Sequence, residues 1–257
     1  MVKLIENDEH FILVSLLITV CMQMSFFAIA YTLQIDKVTD FAGTSNFLIL
    51  AVITLWLGED FSFPKIIGSL MIILWSVRLG FYLSYRIVAW GEDHRFDDIR
   101  SKFWSFFGFW VLQILWVFLT SLPVIYFNSL DTEINLDSIA YLGIGIFTIG
   151  FVIESWADYT KFNHKLHGEK WCDAGLWKYS RHPNYFGNIM LWFGIFIFCY
   201  NYGSPLWTII GPLWTTFLLL FVSGLPFLEK SADKKYGDNS EYLRYKAETS
   251  ILVPWFK

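Results

Sequence analysis

Apolar residues run along this chain in long blocks separated by short polar segments, with no sustained alternation of the kind a half-buried strand would show. Blocks of that length suit helices that cross a hydrocarbon core, which takes about 20 residues. Seven blocks reach or approach that length: Phe11–Ile35, Phe41–Gly58, Ile66–Tyr85, Trp104–Tyr126, Ser138–Ile153, Tyr185–Ser204 and Pro205–Leu228. The second is opened by Gly43-Thr44-Ser45-Asn46, and the fifth is closely bracketed by Asp137 and Glu154. The pattern predicts an all-α, multipass membrane bundle of about seven transmembrane helices, a single domain over residues 1–257. Its main polar parts are loops at about 88–103 and 154–184 and a tail at 229–257.

Charge gives these spans an orientation. Of the 19 Lys and Arg residues, fifteen fall in 36–40, 88–103, 154–184 and the tail, and two fall in the alternate connections. By the positive-inside rule the N-terminus then faces out and the tail faces the cytosol. With 55% hydrophobic and 16% charged residues and a net charge of −4, the chain has no nucleic-acid footprint. Met1–His10 is acidic and the first block is too long for a typical cleaved signal, so that block is expected to stay as a span. Cys21, Cys172 and Cys199 are too scattered for a disulfide framework. His164, His167, Cys172 and Asp173 assemble no closed zinc set, and His94 is expected in a solvated loop. Gly143-Ile144-Gly145…Gly150 lies inside an apolar block with no strand before it, so close helix packing explains it better than a dinucleotide turn.

The densest chemistry is Gly175-Leu176-Trp177-Lys178-Tyr179-Ser180-Arg181-His182-Pro183-Asn184-Tyr185-Phe186-Gly187. Pro183 lacks an N–H and suits the first turn of the following helix, so Arg181 and His182 stand at a helix N-terminus, a seat for phosphate or carboxylate. Anchoring at the headgroup level is the alternative. Arg78 sits within the third block with Tyr82 and Arg86 four and eight residues on, a ladder suited to a polyanion unless Glu154 or Asp158 pairs with it. Glu154 and Asp158 share a helix face and need partners, either Lys161 and Lys165 or the ribose and amide groups of a ligand whose phosphates the lysines and Arg181 hold. Gln113 is expected to hydrogen-bond to a neighbouring helix. The tyrosine-rich tail, with Tyr242 and Tyr245, is expected to fold back beside Arg181 and Asn184.

The 175–187 run, Arg78-Leu79-Gly80-Phe81-Tyr82, Glu154…Asp158, Val38-Thr39-Asp40 and the tail ending in Val253-Pro254-Trp255 together resemble membrane proteins with the steroid 5-alpha-reductase C-terminal domain. The resemblance runs from about Asp40 to Phe256. Sterol C14- and delta-7-type reductases and isoprenylcysteine carboxyl methyltransferases are similar to it more loosely. The resemblance implies a cavity holding NADPH and a slot for an apolar lipid substrate. It places the cofactor at Arg78, Tyr82, Glu154, Asp158, Lys165, Arg181, Asn184, Tyr185, Tyr242 and Tyr245. Two features depart from it: Trp75 stands where the steroid reductases carry a catalytic tyrosine, and the second block has no glutamate within its apolar run.

The leading expectation is therefore an NADPH-dependent oxidoreductase reducing a carbon–carbon double bond of a lipid, steroid-like or polyprenoid substrate. Tyr82, Tyr85, Tyr185 and His182 are its candidate catalytic groups. One alternative is an S-adenosylmethionine-dependent membrane methyltransferase. Another is a non-catalytic lipid-binding or structural subunit with membrane-protein partners. The endoplasmic reticulum is suggested by analogy, and other membranes fit the same charge pattern.

Overall fold

The computed structural model describes residues 8–90, 96–131, 135–168 and 170–256; His94 lies outside them. The helices are α1 (Ile12–Leu33), α2 (Val38–Leu57), α3 (Phe63–Trp90), α4 (Phe103–Ser129), α5 (Ser138–Leu166), α6 (Pro183–Asn201), α7 (Ile210–Phe217), α8 (Leu225–Tyr236) and α9 (Ser240–Glu248). Among the described residues there is no strand, only a parallel bridge between Ser180 and Ser250.

Six helical runs among the described residues are long and apolar enough to cross a membrane, α1 to α5 and Leu206–Tyr236. This is an integral membrane protein. The sixth apolar block forms α6, a 19-residue helix whose composition is diluted by Asn184, Asn188 and Asn201. The seventh is not one regular helix: a 3₁₀ turn at Leu206–Ile209 leads into α7, a π turn follows at Leu218–Val222, and α8 begins after Gly224. A Cβ on Gly224 would lie 2.2 Å from the Leu219 carbonyl oxygen, so only glycine lets the chain turn so tightly there.

Contacts group the chain into two units, Met1–Tyr141 with Ile195–Gly211, and Leu142–Gly194 with Pro212–Lys257. In unit 1 the helices are joined by neutral hydrogen bonds at membrane depth. The inner face of α1 is polar, with Ser15, Thr19 and Gln23 fully buried, and Gln23 Nε2 donates to Asn46 Oδ1 (3.0 Å) and the Ala42 carbonyl (3.1 Å) on α2. Gln113 of α4 donates to the Thr39 carbonyl at 2.8 Å, the interhelical bond expected of it. That approach needs Gly43, whose Cβ would fall 2.8 Å from Gln113 Nε2. Asn128 Nδ2 ties three helices by donating to Thr54 Oγ1 (2.9 Å) and Ser69 Oγ (3.1 Å). Such bonds hold helices together where lipid supplies no hydrophobic drive. Charged groups in unit 1 include Asp36 with Arg100 (2.5 Å) and Lys65 with Asp60 (2.9 Å), both close to helix ends.

Unit 2 is built on the antiparallel pair α5 and α6, packed backbone against backbone. A Cβ on Gly187 would lie 2.6 Å from both Glu154 N and Gly150 O, and one on Gly194 would lie 2.5 Å from Phe147 N. Close packing is therefore the role of these glycines, Gly150 among them. At the far end of this seam the two helices exchange polar groups, and the tail helices α8 and α9 close over the segment that leads into α6.

Candidate functional site

Residues 175–182 are fixed before α6 begins. Trp177 is buried and its Nε1–H donates to the Ala157 carbonyl on α5 at 3.0 Å, while the Lys161 ammonium lies 4.7 Å from its ring centroid. Pro183 opens α6 as its sequence position predicts, and the His182 carbonyl accepts from Tyr185 N (3.1 Å) and Phe186 N (3.2 Å). Ser180 Oγ accepts from His182 N (3.1 Å) and donates to the Leu252 carbonyl (2.7 Å). The chain turns into α6 with its polar groups facing the tail.

Arg181, expected as a phosphate seat or headgroup anchor, is engaged with the tail: Nη1 donates to the Lys246 carbonyl (2.6 Å), Nη2 pairs with Glu229 (3.1 Å), and its backbone N–H donates to the Ser250 carbonyl (2.8 Å). Only Nε is left without a partner. Tyr245 and Tyr242 are likewise engaged within the protein, and these contacts give them a structural part. Tyr245 donates to the Trp177 carbonyl (2.8 Å) and Tyr242 to Asp233 (3.2 Å). Burial pushes both phenols up, Tyr242 to about 12 with Asp233 adding to it, so both remain protonated donors. The tail is docked beside Arg181, as its aromatic density suggests.

His182 is 4% exposed, and its Nε2 lies 2.8 Å from Glu229 Oε1. A carboxylate only accepts, so the proton is on Nε2 and Nδ1 carries the lone pair. Nδ1 has no hydrogen-bond partner. Burial pulls the pKa of His182 below the usual histidine range; hydrogen bonding to Glu229 opposes this, while Lys161 and Arg181 reinforce it. The ring is therefore neutral at physiological pH. Tyr185 stacks on it with 5.5 Å between centroids.

Glu154 and Asp158, 4% and 6% exposed, meet α6 through asparagines. Asn184 Nδ2 donates to Asp158 Oδ1 at 3.1 Å, and Asn188 Nδ2 donates to Glu154 Oε1 at 3.2 Å. Asn184 Oδ1 is left without a partner. Asn188 and Glu229 are the two site residues that the sequence reading did not single out. Asn188 repeats Asn184 at a helical spacing inside an apolar run and could have been found; the pairing of Glu229 with a motif 47 residues away could not. Lys165 lies exposed in the last turn of α5.

Arg78 and Tyr82 belong to unit 1. Arg86, the third member of their ladder, pairs with Asp40 (3.5 Å) and lies 6.0 Å from the Tyr82 ring centroid. Trp75 is fully buried, with its ring edge-on to Phe47 (5.1 Å) and Trp116 (6.3 Å). It is a core residue.

Residues 26–249 match the family described as "Protein of unknown function (DUF1295)", and the chain belongs to it. Methanethiol S-methyltransferase 1 of Bradyrhizobium diazoefficiens is 26% identical over 203 residues, covering 74% of this chain and 67% of its own length. An uncharacterized protein of Schizosaccharomyces pombe is 23% identical over 196 residues, 63% of this chain and 56% of that protein. The chain thus spans about two thirds of the first relative and little over half of the second. No solved structure matches.

Proposed function

We propose that this protein is a membrane methyltransferase that moves the methyl group of S-adenosylmethionine to a small apolar thiol. The observation that carries the reading is the polarity of the unit 2 site. Its guanidinium has committed Nη1 and Nη2 to a carbonyl and Glu229 and leaves Nε alone open, whereas the side-chain atoms that lack a partner at His182 and Asn184 are acceptors, beside the carboxylates of Glu154 and Asp158. A buried set of acceptors and carboxylates suits a cationic ligand with hydroxyl and amino donors. S-adenosylmethionine has a cationic sulfur, an ammonium, ribose hydroxyls and an adenine amine; when bound it supplies an electrophilic methyl group. The pyrophosphate of NADPH asks for donors instead. Glu154, Asp158 and Asn184 would hold the cationic ligand, and the likeness to a methanethiol S-methyltransferase supports a thiol as acceptor.

NADPH-dependent reduction of a lipid double bond is the rival. It rests on Arg78 and Tyr82, and the use of position 75 as a packing tryptophan removes the phenol that steroid-type carbonyl activation would need. Titration of purified protein with S-adenosylmethionine and NADPH separates the two. Saturable S-adenosylmethionine binding, weakened about tenfold or more by Asp158→Asn and by Asn184→Ala, with methyl transfer to methanethiol, is the expected result. Binding of NADPH alone, weakened by Arg78→Ala, would replace this reading with the reductase.

A further inference from the structure

His182 is an unusual group to leave buried with one nitrogen open. Leaving a buried polar atom unsatisfied is destabilising, and native structures seldom do so without a use for the atom. Here the open atom is a lone pair, and its electronic state is set from the opposite side of the ring. Glu229 holds Nε2–H at 2.8 Å. The same carboxylate lies 3.1 Å from Arg181 and 3.6 Å from Lys246, so three residues from two segments fix its position. A carboxylate that orients an imidazole through one nitrogen and leaves the other as a base is a general arrangement for activating a weak nucleophile.

A thiol is such a nucleophile. The thiolate is the reactive form, and a cysteine-like thiol has a pKa of about 8.5, so at neutral pH most of it is protonated. On the basis of the methyl-transfer reading, we infer that His182 accepts the thiol proton at Nδ1 and that Glu229 is the residue that positions it. In this step the S–H bond breaks and the proton passes to Nδ1, giving an imidazolium held against the Glu229 carboxylate. The thiolate sulfur forms a bond to the methyl carbon, and the bond between that carbon and the sulfonium sulfur breaks with its electron pair remaining on the leaving sulfur. Thioether, S-adenosylhomocysteine and one proton result, with no oxidant or reductant required. The charged groups around the ring are Glu229 from α8, Arg181 in the adjoining loop and Lys161 from α5, with Lys246 of α9 behind Glu229. The two cations disfavour the imidazolium and the carboxylate favours it, which leaves a base that is free at neutral pH and releases its proton readily.

The variant His182→Gln tests this directly, because a glutamine amide can still donate to Glu229 but has no basic nitrogen to take a proton. Butanethiol and thiophenol are the probes, since thiophenol is largely ionised at neutral pH without help. The expected result is S-adenosylmethionine affinity within about twofold of wild type, butanethiol methylation reduced by about 10²–10⁴-fold and thiophenol methylation reduced far less. A second readout needs no turnover: exchange of the imidazole C2 hydrogen of His182, followed by mass spectrometry in the detergent-purified protein, should titrate below the ordinary histidine range. It should move further down in Glu229→Gln, where the favourable carboxylate is gone. Equal losses for both thiols, or a His182 titration that Glu229→Gln leaves unmoved, would overturn the inference while leaving methyl transfer standing. A wild-type protein that binds S-adenosylmethionine but methylates neither thiol would overturn the thiol reading and this inference together.

Discussion

The two units solve the problem of polar groups at membrane depth in opposite ways. Unit 1 relies mainly on neutral amides and hydroxyls, and its ties run from helix to helix: Gln23 to Asn46, Gln113 to the Thr39 carbonyl, Asn128 to Thr54 and Ser69, with Arg86–Asp40 as a charged pair between α3 and α2. Unit 2 gathers carboxylates, a guanidinium and an imidazole at one end of α5 and α6, and holds them with a tail that arrives from much later in the chain. A neutral hydrogen bond between helices fastens them and needs nothing from outside. Ionisable groups buried together need a counter-charge, and the arrangement that supplies it also sets which nitrogen of His182 is protonated. The neutral ties of unit 1 and the ionisable cluster of unit 2 are thus separated along the sequence.

Substitutions should expose this difference, most strongly at the hub of unit 2. Glu229→Ala removes the partner of Arg181 Nη2 and of the His182 Nε2–H at once, while Lys246 keeps Asp233, and a loss of about 2–3 kcal/mol is expected, read as a lowered Tm in detergent, together with loss of ligand binding. Next comes Gly187→Ala, whose Cβ would press on the Glu154 and Gly150 backbones at 2.6 Å. It should cost about 1–3 kcal/mol and move Glu154 away from Asn188, weakening ligand binding as well as stability. In unit 1, Asn128→Ala removes two neutral bonds and should cost only about 1 kcal/mol, with ligand affinity unchanged, since measured interhelical hydrogen bonds in membranes are modest. If Asn128→Ala abolished binding, the separation drawn above would fail.

The smallest effect is on pH dependence. His182 is held neutral in the fold, below its ordinary value of 6.5, so the unfolded chain binds a proton there first as pH falls. Its contribution is therefore intact above about pH 7 and is lost progressively below 6.5. Tm measured across pH 5–8 should fall on the acid side, and His182→Gln should flatten that slope.

How much of this was legible in the sequence varies from residue to residue. The apolar blocks located the starts of α1 to α6 to within a few positions, because the length of apolar run needed to cross hydrocarbon is a strong constraint, whereas α3 and α5 continue past the ends of their blocks at Tyr85 and Ile153 to Trp90 and Leu166. Pro183 marked the first residue of α6, and Gly150 marked the helix seam. The last block misled, because hydropathy records no local turn geometry and so gave no sign of the π turn or of the break at Gly224. At the site, the residue types at 181, 182 and 184 announced chemistry, but the roles were not readable. The partner of Arg181, Glu229, comes from a separate helix, and no periodicity links the two. For Glu154 and Asp158 the lysines of their own helix, Arg78 and a ligand all stood open as partners, and the amides of Asn184 and Asn188, which reach them from α6, join that set only in the fold.

The backbone bond from Arg181 to Ser250 and the hydroxyl bond from Ser180 to Leu252 have a consequence for how the protein is made. During synthesis, α6 leaves the ribosome with Arg181 and His182 at its head while the residues that will hold them are not yet translated. About 70 further residues, at roughly 5–20 residues per second, must follow before the strap exists. The site is therefore assembled only after residues 250–252 have been translated, well after the helix that carries its head.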